Sequence, residues 1–376
     1  MLERRENRGF VKFVQDRIRN SYGTMNILNS PEEILRPDLY LNQIDLDQSL
    51  MGFAHINVAQ FRRAAFIDAR LQAIEGSQQQ YLHFQAASEL KEKLQTKKQK
   101  QINYIFHSAF CCSTLLSKCM DVEGVCMTLK EPSVIMQLAN YKRTGHPSLA
   151  SRAALMSLIE LTVFYLSSAG NINERIIIKP TNAANNIAGE IMESASTGSI
   201  LLLYSGLERF LVSVIKKGEE CRAFVRKLFN IIKNDSDRMR DIMPGALVQM
   251  TDLQIAALVW NLQIDQYLYL LKRYPQANIR TLDCDVFLES PAEVLQQLYG
   301  HFACDVRAGT AREVAAGPVF SRYSKNQDKS YSPELRESEY AGIRNIHRKE
   351  IDLILSWSDQ VRPDGAVKLP LPRALL

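Results

Sequence analysis

The stretch Ile102-Asn103-Tyr104-Ile105-Phe106-His107-Ser108-Ala109-Phe110-Cys111-Cys112-Ser113-Thr114-Leu115-Leu116-Ser117-Lys118-Cys119-Met120 reads as a short apolar strand, a loop of small residues and a helix. A strand that runs through a tight loop straight into a helix turns unpaired N–H groups and the positive end of the helix dipole toward one point. Anions collect at such a point, phosphate above all. Ser113 and Thr114 stand where a first-turn hydroxyl adds a donor, and the small side chains of Ser108, Ala109, Cys111 and Cys112 let a phosphate approach the backbone. The common nucleotide loop, G-x-x-x-x-G-K-[ST], is not present: His107 and Cys112 occupy its glycine positions and no lysine precedes Ser113. The plain alternative is a strand–helix turn whose serine serves as a helix cap.

Outward from this stretch, the chain alternates strands and helices. Strands are predicted at 102–106, 126–129, 175–179, 199–204 and 278–282, with helices at 133–140, 149–169 and 253–273 between them. The run Arg175-Ile176-Ile177-Ile178-Lys179 is continuously apolar and β-branched, as in a strand covered on both faces. Strands separated by helices at these distances require a parallel sheet sandwiched by helices, an α/β architecture. Residues 1 to 100 read as a polar, helical extension, with helical spacing in 10–18 and 58–74 and a helix start at Ser30-Pro31-Glu32. A single long helix over 332–357 is expected to close the chain.

The chain has 376 residues, enough for a large core, with 46% hydrophobic and 23% charged residues and a net charge of +5. No long basic run or aromatic-interleaved patch accompanies that charge, so a nucleic-acid partner is not expected. The charged start, Met1-Leu2-Glu3-Arg4-Arg5, precedes no apolar segment of signal-peptide type. The longest apolar run, 153–169, is broken by Glu160 and serines, which argues for a buried helix over a membrane span. The seven cysteines, at 111, 112, 119, 126, 221, 284 and 304, show no C-x-x-C spacing, so buried thiols in a reducing, cytoplasmic setting are expected and no metal site.

Four stretches together resemble the sulfotransferase family. The loop aligns with that family's 5′-phosphosulfate loop, a strand followed by G-x-P-[RK]-S-G-[ST]-T-x-L, on Ser113-Thr114-Leu115-Leu116. Lys179-Pro180-Thr181-Asn182 is similar to its K-[TS]-P-x-N, and Leu202–Ser213 to its R-[DN]-P-x-[DE]-x-x-x-S segment. Asp283-Cys284-Asp285-Val286-Phe287-Leu288-Glu289-Ser290-Pro291 is similar to its Y-E-D-L-x-x-D-P. The matches fall in order over residues 102 to 304. The resemblance implies a three-layer fold of the P-loop type, with a central, mostly parallel sheet of about five strands over residues 101–376, behind the extension 1–100.

It also implies an enzyme that transfers a sulfonate from 3′-phosphoadenylyl sulfate to a hydroxyl or amine of a small-molecule or glycan acceptor. The donor would lie on His107, Ser108, Cys112, Ser113 and Thr114. Arg209 and Ser213 would meet the 3′-phosphate, and Arg322 and Lys325 would belong to a basic loop that closes over the nucleotide. Lys179 would offset the sulfonate charge and Glu131 would act as base, with His107 and His146 as rivals. Two positions depart from the pattern: the family's basic loop residue is Phe110, and its 3′-phosphate arginine is Ser205. Each missing charge-assisted contact costs roughly 1.5–3 kcal/mol, unless Arg209, Lys118 or Lys130 replaces it. A nucleotide-dependent kinase and a catalytically silent binding relative are the competing readings, and acceptor choice is expected to lie in 141–149 and 233–251.

Overall fold

The computed structural model describes residues 26–27, 36, 38–67, 79–94, 101–169, 173–236, 239, 244–321, 333–362 and 365–376. The predicted helix over 10–18, the helix start at Ser30, and Arg322 and Lys325 lie outside the described residues.

Where the sequence reading expects helices, the N-terminal segment forms a four-stranded sheet. β1 (Asn26–Ile27), β2 (Leu39–Asp45), β3 (Leu50–His55) and β4 (Gln80–His83) are ordered β1-β4-β3-β2. β2 and β3 make a hairpin in register from Asp45↔Leu50 to Leu39↔His55, with a bulge between Leu41 and Gln43. Its turn lacks the Asn-Gly or Asp-Gly that marks a hairpin in sequence and reaches the required positive φ at Ser49. Leu and Met at these positions also favour helix locally, and packing overrides that preference. Two helices, Val58–Arg63 and Phe84–Leu94, complete the segment.

The second sheet is the predicted one. β5 (Ile102–His107), β6 (Cys126–Lys130), β7 (Arg175–Lys179), β8 (Thr197–Tyr204) and β9 (Ile279–Asp283) are all parallel, ordered β6-β7-β5-β8-β9. Side chains alternate between two apolar layers. Tyr104, Phe106, Ile176, Ile178, Ile200 and Leu202 enter the larger core, which the N-terminal sheet shares through Leu41 and Phe53. Ile105, Ile177, Leu201 and Leu203 enter the second core, against Leu115, Phe287 and Leu298. This gives the three-layer α/β sandwich. The chain crosses from β7 to β8 over β5, so the carboxyl end of β5 lies at the switch point where open α/β sheets bind ligands.

In place of one closing helix there are two, Pro333–Ile346 and Arg348–Val361. The break at His347 lets each take its own partner. The first pairs Glu337 and Tyr340 with Arg209 and Glu208 of the helix Leu207–Lys216, and the second places Ser358 on Asn261 of the long helix Asp252–Arg273.

A cluster of four charges joins the N-terminal segment to the large sheet. Arg62 donates to Asp121 and Glu174, while Lys130 Nζ donates to Asp121 Oδ2 at 2.7 Å and to the Arg62 carbonyl at 2.8 Å. The side chains of Lys130 and Glu174 are wholly buried. Removing one member of such a cluster strands a buried charge, so Arg62→Ala should lower unfolding free energy by about 3–5 kcal/mol. Removing Arg36 from its exposed pair with Asp38 should cost less than about 1 kcal/mol. Urea denaturation of the two variants beside the parent checks the contrast.

Candidate active site

The loop after β5 bends by placing non-glycine residues in the left-handed region. Ala109 has φ 67°, Phe110 φ 49° and Cys112 φ 59°. Such residues cost energy in isolation and persist where the surroundings hold them, often at ligand sites. Left-handed turns of this kind make a concave array of N–H groups suited to an anion. Cys112 precedes the helix Ser113–Cys119, and Ser113 and Thr114 are buried in its first turn. The Ser108 hydroxyl, at the end of β5, is fully buried with no hydrogen-bond partner among the described residues.

Beside the loop, the carboxyl ends of β6 and β7 bring together a carboxylate, an ammonium and an imidazole. Lys179 Nζ donates to Glu131 Oε1 at 2.5 Å, and His107 Nε2 lies 3.8 Å from the same oxygen. Glu131 is held in the left-handed region at φ 62°, with its N–H on the Lys179 carbonyl at 2.7 Å. Lys179 is wholly buried, whereas Glu131 keeps 14% of its side chain exposed. The carboxylate is therefore the member of the pair that solvent or a substrate can touch. His107, Glu131 and Lys179, picked from the sequence, meet at one place. His146 is elsewhere, against Asp47 and the Tyr141 ring.

On the β8 side the picture is mixed. Ser205, at the arginine position of the motif, buries a hydroxyl without a partner among the described residues, while its carbonyl accepts from Trp260 Nε1 at 2.7 Å. Arg209 is engaged: its guanidinium donates to Asp285 Oδ2 at 2.8 Å and to Glu337 Oε1 at 2.6 Å, and its centre lies 4.1 Å from the Tyr340 ring centroid. Ser213 follows on the same helix, partly exposed. The two lysines expected to replace the loop's basic residue lie in different settings. Lys130 is fixed in the four-charge cluster, and Lys118 sits in the last turn of its helix, where burial and Lys130 lower its pKa.

Two residues with no motif around them also belong to the site. Phe66, from the N-terminal segment, lies with its ring centroid 5.5 Å from Lys179 Nζ. Lys217 lies over the Phe110 ring, Nζ 4.4 Å from its centroid, and that ring packs edge-on to Phe210 and Phe224. A positive charge thus stands above the Phe110 ring, beside the loop. The only sequence signal for Lys217 is the glycine that follows it, Gly218 at φ 64°, and Phe66 has none.

Among the described residues, one group of metal-type donors lies close together, Asp283, Cys284 and Asp285, and Asp285 is already occupied by Arg209. No described helix is long and apolar enough to cross a membrane.

No protein-family model matches the chain, and no curated protein matches it. Among solved structures it is similar to the sulfotransferase domain from the curacin biosynthetic pathway, at 14% identity over 73% of this chain and 93% of that one, with a TM-score of 0.39. It is also similar to the sulfotransferase STF9 from Mycobacterium avium, at 8% identity over 71% of this chain and 81% of that one, with a TM-score of 0.37.

Asp283 ends β9 and caps the next helix, its Oδ1 accepting from the Asp285 N–H at 3.0 Å. Burial pushes its carboxyl up to about 6. A carboxyl raised on folding favours the folded state while it is protonated, so its contribution is present below its ordinary value near 3.8 and is lost as pH rises through about 6. Asp283→Asn keeps the cap and removes the titration. Its stability gain over the parent should grow from pH 4 to pH 6 and stay level above, as denaturation at pH 4.5, 6 and 7.5 would read.

Proposed function

We propose that this chain is a sulfotransferase that moves a sulfonate from 3′-phosphoadenylyl sulfate to a hydroxyl or amine of a small-molecule or glycan acceptor. The observation that carries this reading is the meeting of Glu131, Lys179 and His107 beside the left-handed loop that follows β5. A carboxylate for the acceptor proton, a cation for the sulfonate and a backbone cradle for a phosphate are the groups such a displacement needs.

The residues present fit the donor's 5′ end. The buried Ser108 and Ser205 hydroxyls await partners, the loop N–H groups form a concavity, and Ser113 and Thr114 add donors. At the 3′ end, Arg209 and Ser213 are the nearest match to the family pattern, and a phosphate on Arg209 would take the place of Glu337, the more exposed of its two carboxylates. Arg322 and Lys325 remain the choice for a covering loop on sequence grounds. The donor, when bound, supplies the activated sulfonate. Glu131 Oε then takes the acceptor's proton, and Lys179 both orients that carboxylate and offsets negative charge beside it. Phe66 keeps water from Lys179, which strengthens its charge interactions. The seven free cysteines favour a reducing, cytoplasmic setting.

The silent-relative reading is favoured by one observation, the engagement of Arg209 with two carboxylates. Thermal melting in the presence of adenosine 3′,5′-bisphosphate, ATP or 5′-AMP separates the two. For the enzyme, the 3′-phosphorylated nucleotide at 100 times its Kd adds about 2.7 kcal/mol of stability, 5′-AMP gives much less, and Arg209→Ala removes the difference. Unchanged melts with all three nucleotides would leave the silent relative. Glu131→Gln should keep the nucleotide shift while lowering sulfonate transfer about 10²–10⁴-fold in an acceptor screen with labelled donor.

A further inference from the structure

The helix Pro333–Ile346 is fastened to the molecule mainly by charge. None of its described side chains is buried, and Tyr340 and Ile343 reach the large core only in part. Its polar contacts fall on the helix Leu207–Lys216. Glu337 Oε1 accepts from Arg209 Nη1 at 2.6 Å, the Tyr340 hydroxyl donates to Glu208 Oε1 at 2.5 Å, Arg344 Nε lies 2.9 Å from Glu208 Oε2, and Glu339 pairs with Lys216. Gly342 stands within the helix with open space where a Cβ would be, so it lowers helicity with no packing reason. The next helix, Arg348–Val361, is held differently: it buries Ile351, Ile354 and Ser358. His347 therefore separates a helix set into the core from one resting on ion pairs, with Arg344 on Asp352 as the link between them.

We infer that Pro333–Ile346 is an autoinhibitory latch, closed by Glu337 on Arg209 and opened by a phosphate group that takes the same guanidinium. The nature of the phosphate ligand rests on the sulfotransferase reading, whereas the electrostatic hold on the helix does not. Of the two carboxylates on Arg209, Asp285 holds Nε with 27% of its side chain exposed, and Glu337 holds Nη1 with 52% exposed. A phosphate grips a guanidinium through two N–H groups at once, and the Nη1 edge is the one covered by the more exposed carboxylate. A phosphate seated there faces Glu337 as a like charge and expels it. The pairs that remain are partly exposed, and such pairs are weak and screened by salt. The helix then has little to keep it in place. Tyr340, whose ring lies over the Arg209 guanidinium at 4.1 Å, rides on the same helix, so opening also uncovers the face of the guanidinium. In the closed state Glu337 acts as a built-in anion, and apparent affinity for a phosphate falls by the fraction of molecules that are open.

The test is amide hydrogen exchange on the full chain, followed by peptide over 333–346 and 348–361, together with calorimetric titration of adenosine 3′,5′-bisphosphate at low salt. Without nucleotide, raising potassium chloride from about 0.05 to 0.5 M, which shortens the screening length several-fold, should speed exchange in 333–346 about three- to tenfold and leave 348–361 unchanged. Glu337→Gln at low salt should loosen the same segment alone. The bisphosphate should speed exchange in 333–346 of the parent, and Glu337→Gln should bind it about three- to tenfold more tightly. Exchange in 333–346 that ignores both salt and Glu337→Gln overturns the latch, and so does a bisphosphate bound equally by parent and variant with the helix still protected. A helix that loosens with salt and with Glu337→Gln while neither protein binds the bisphosphate keeps the electrostatic hold and removes the sulfotransferase reading.

Discussion

Two buried lysines stand side by side where β6 and β7 end: Lys130 pairs in register with Lys179, and neither side chain reaches solvent. Like charges in that position hold only if each has its own carboxylate, because an unpaired buried ammonium is far too costly. Lys130 takes Asp121 and, through it, Arg62, so it draws the N-terminal segment onto the sheet. Lys179 takes Glu131, whose backbone is turned into the left-handed region to make the contact. One lysine therefore anchors the fold and its neighbour sets the candidate chemistry. The same pairing brings Phe66 over Lys179, so that the N-terminal segment supplies part of the wall of a site built on the large sheet.

The electrostatics around the loop turn on a ring and a cation: Phe110 sits in the loop and Lys217 stands over its ring from the turn between two helices. Attraction to a ring face is worth about 0.5–2 kcal/mol depending on desolvation, enough to bias where a long side chain rests. A cation on a mobile stem differs from one fixed in a loop: it can stay near solvent until an anion arrives. On the opposite side the Arg209 guanidinium is held between Asp285 and Glu337 over Tyr340, an arrangement that orients it and also screens it.

The large sheet was legible because its strands are covered on both faces and so read as unbroken apolar runs, with Arg175–Lys179 recovered to the residue. Lys179, Glu131 and His107 could be picked out because strand ends carry their polar residues at a fixed place relative to a motif. The N-terminal sheet was illegible for the opposite reason. Leu39–His55 mixes helix-favouring residues with a turn that lacks glycine, and only the shared core, through contacts such as the Tyr165 hydroxyl on the Ala87 carbonyl, decides for strands and their cover. Phe66 and Lys217 reach the site across long sequence separations, and such contacts leave no local trace. The split of the closing helix at His347 likewise reflects two tertiary partners and no breaker residue.

An open five-stranded sheet has two free margins, and bare backbone along a margin is a template for pairing with another chain. Both are dressed here by distant parts of the molecule. The β9 margin is covered by the last residues, where Leu375 and Thr281 exchange backbone bonds with Thr281 and Arg373 at 2.9 Å. At the β6 margin, the Ile67 N–H takes the Lys130 carbonyl at 2.7 Å. The last residues and the stretch at Ile67 thus act as selvedges on the sheet, and removal of Arg373 to Leu375 would bare the backbone of β9.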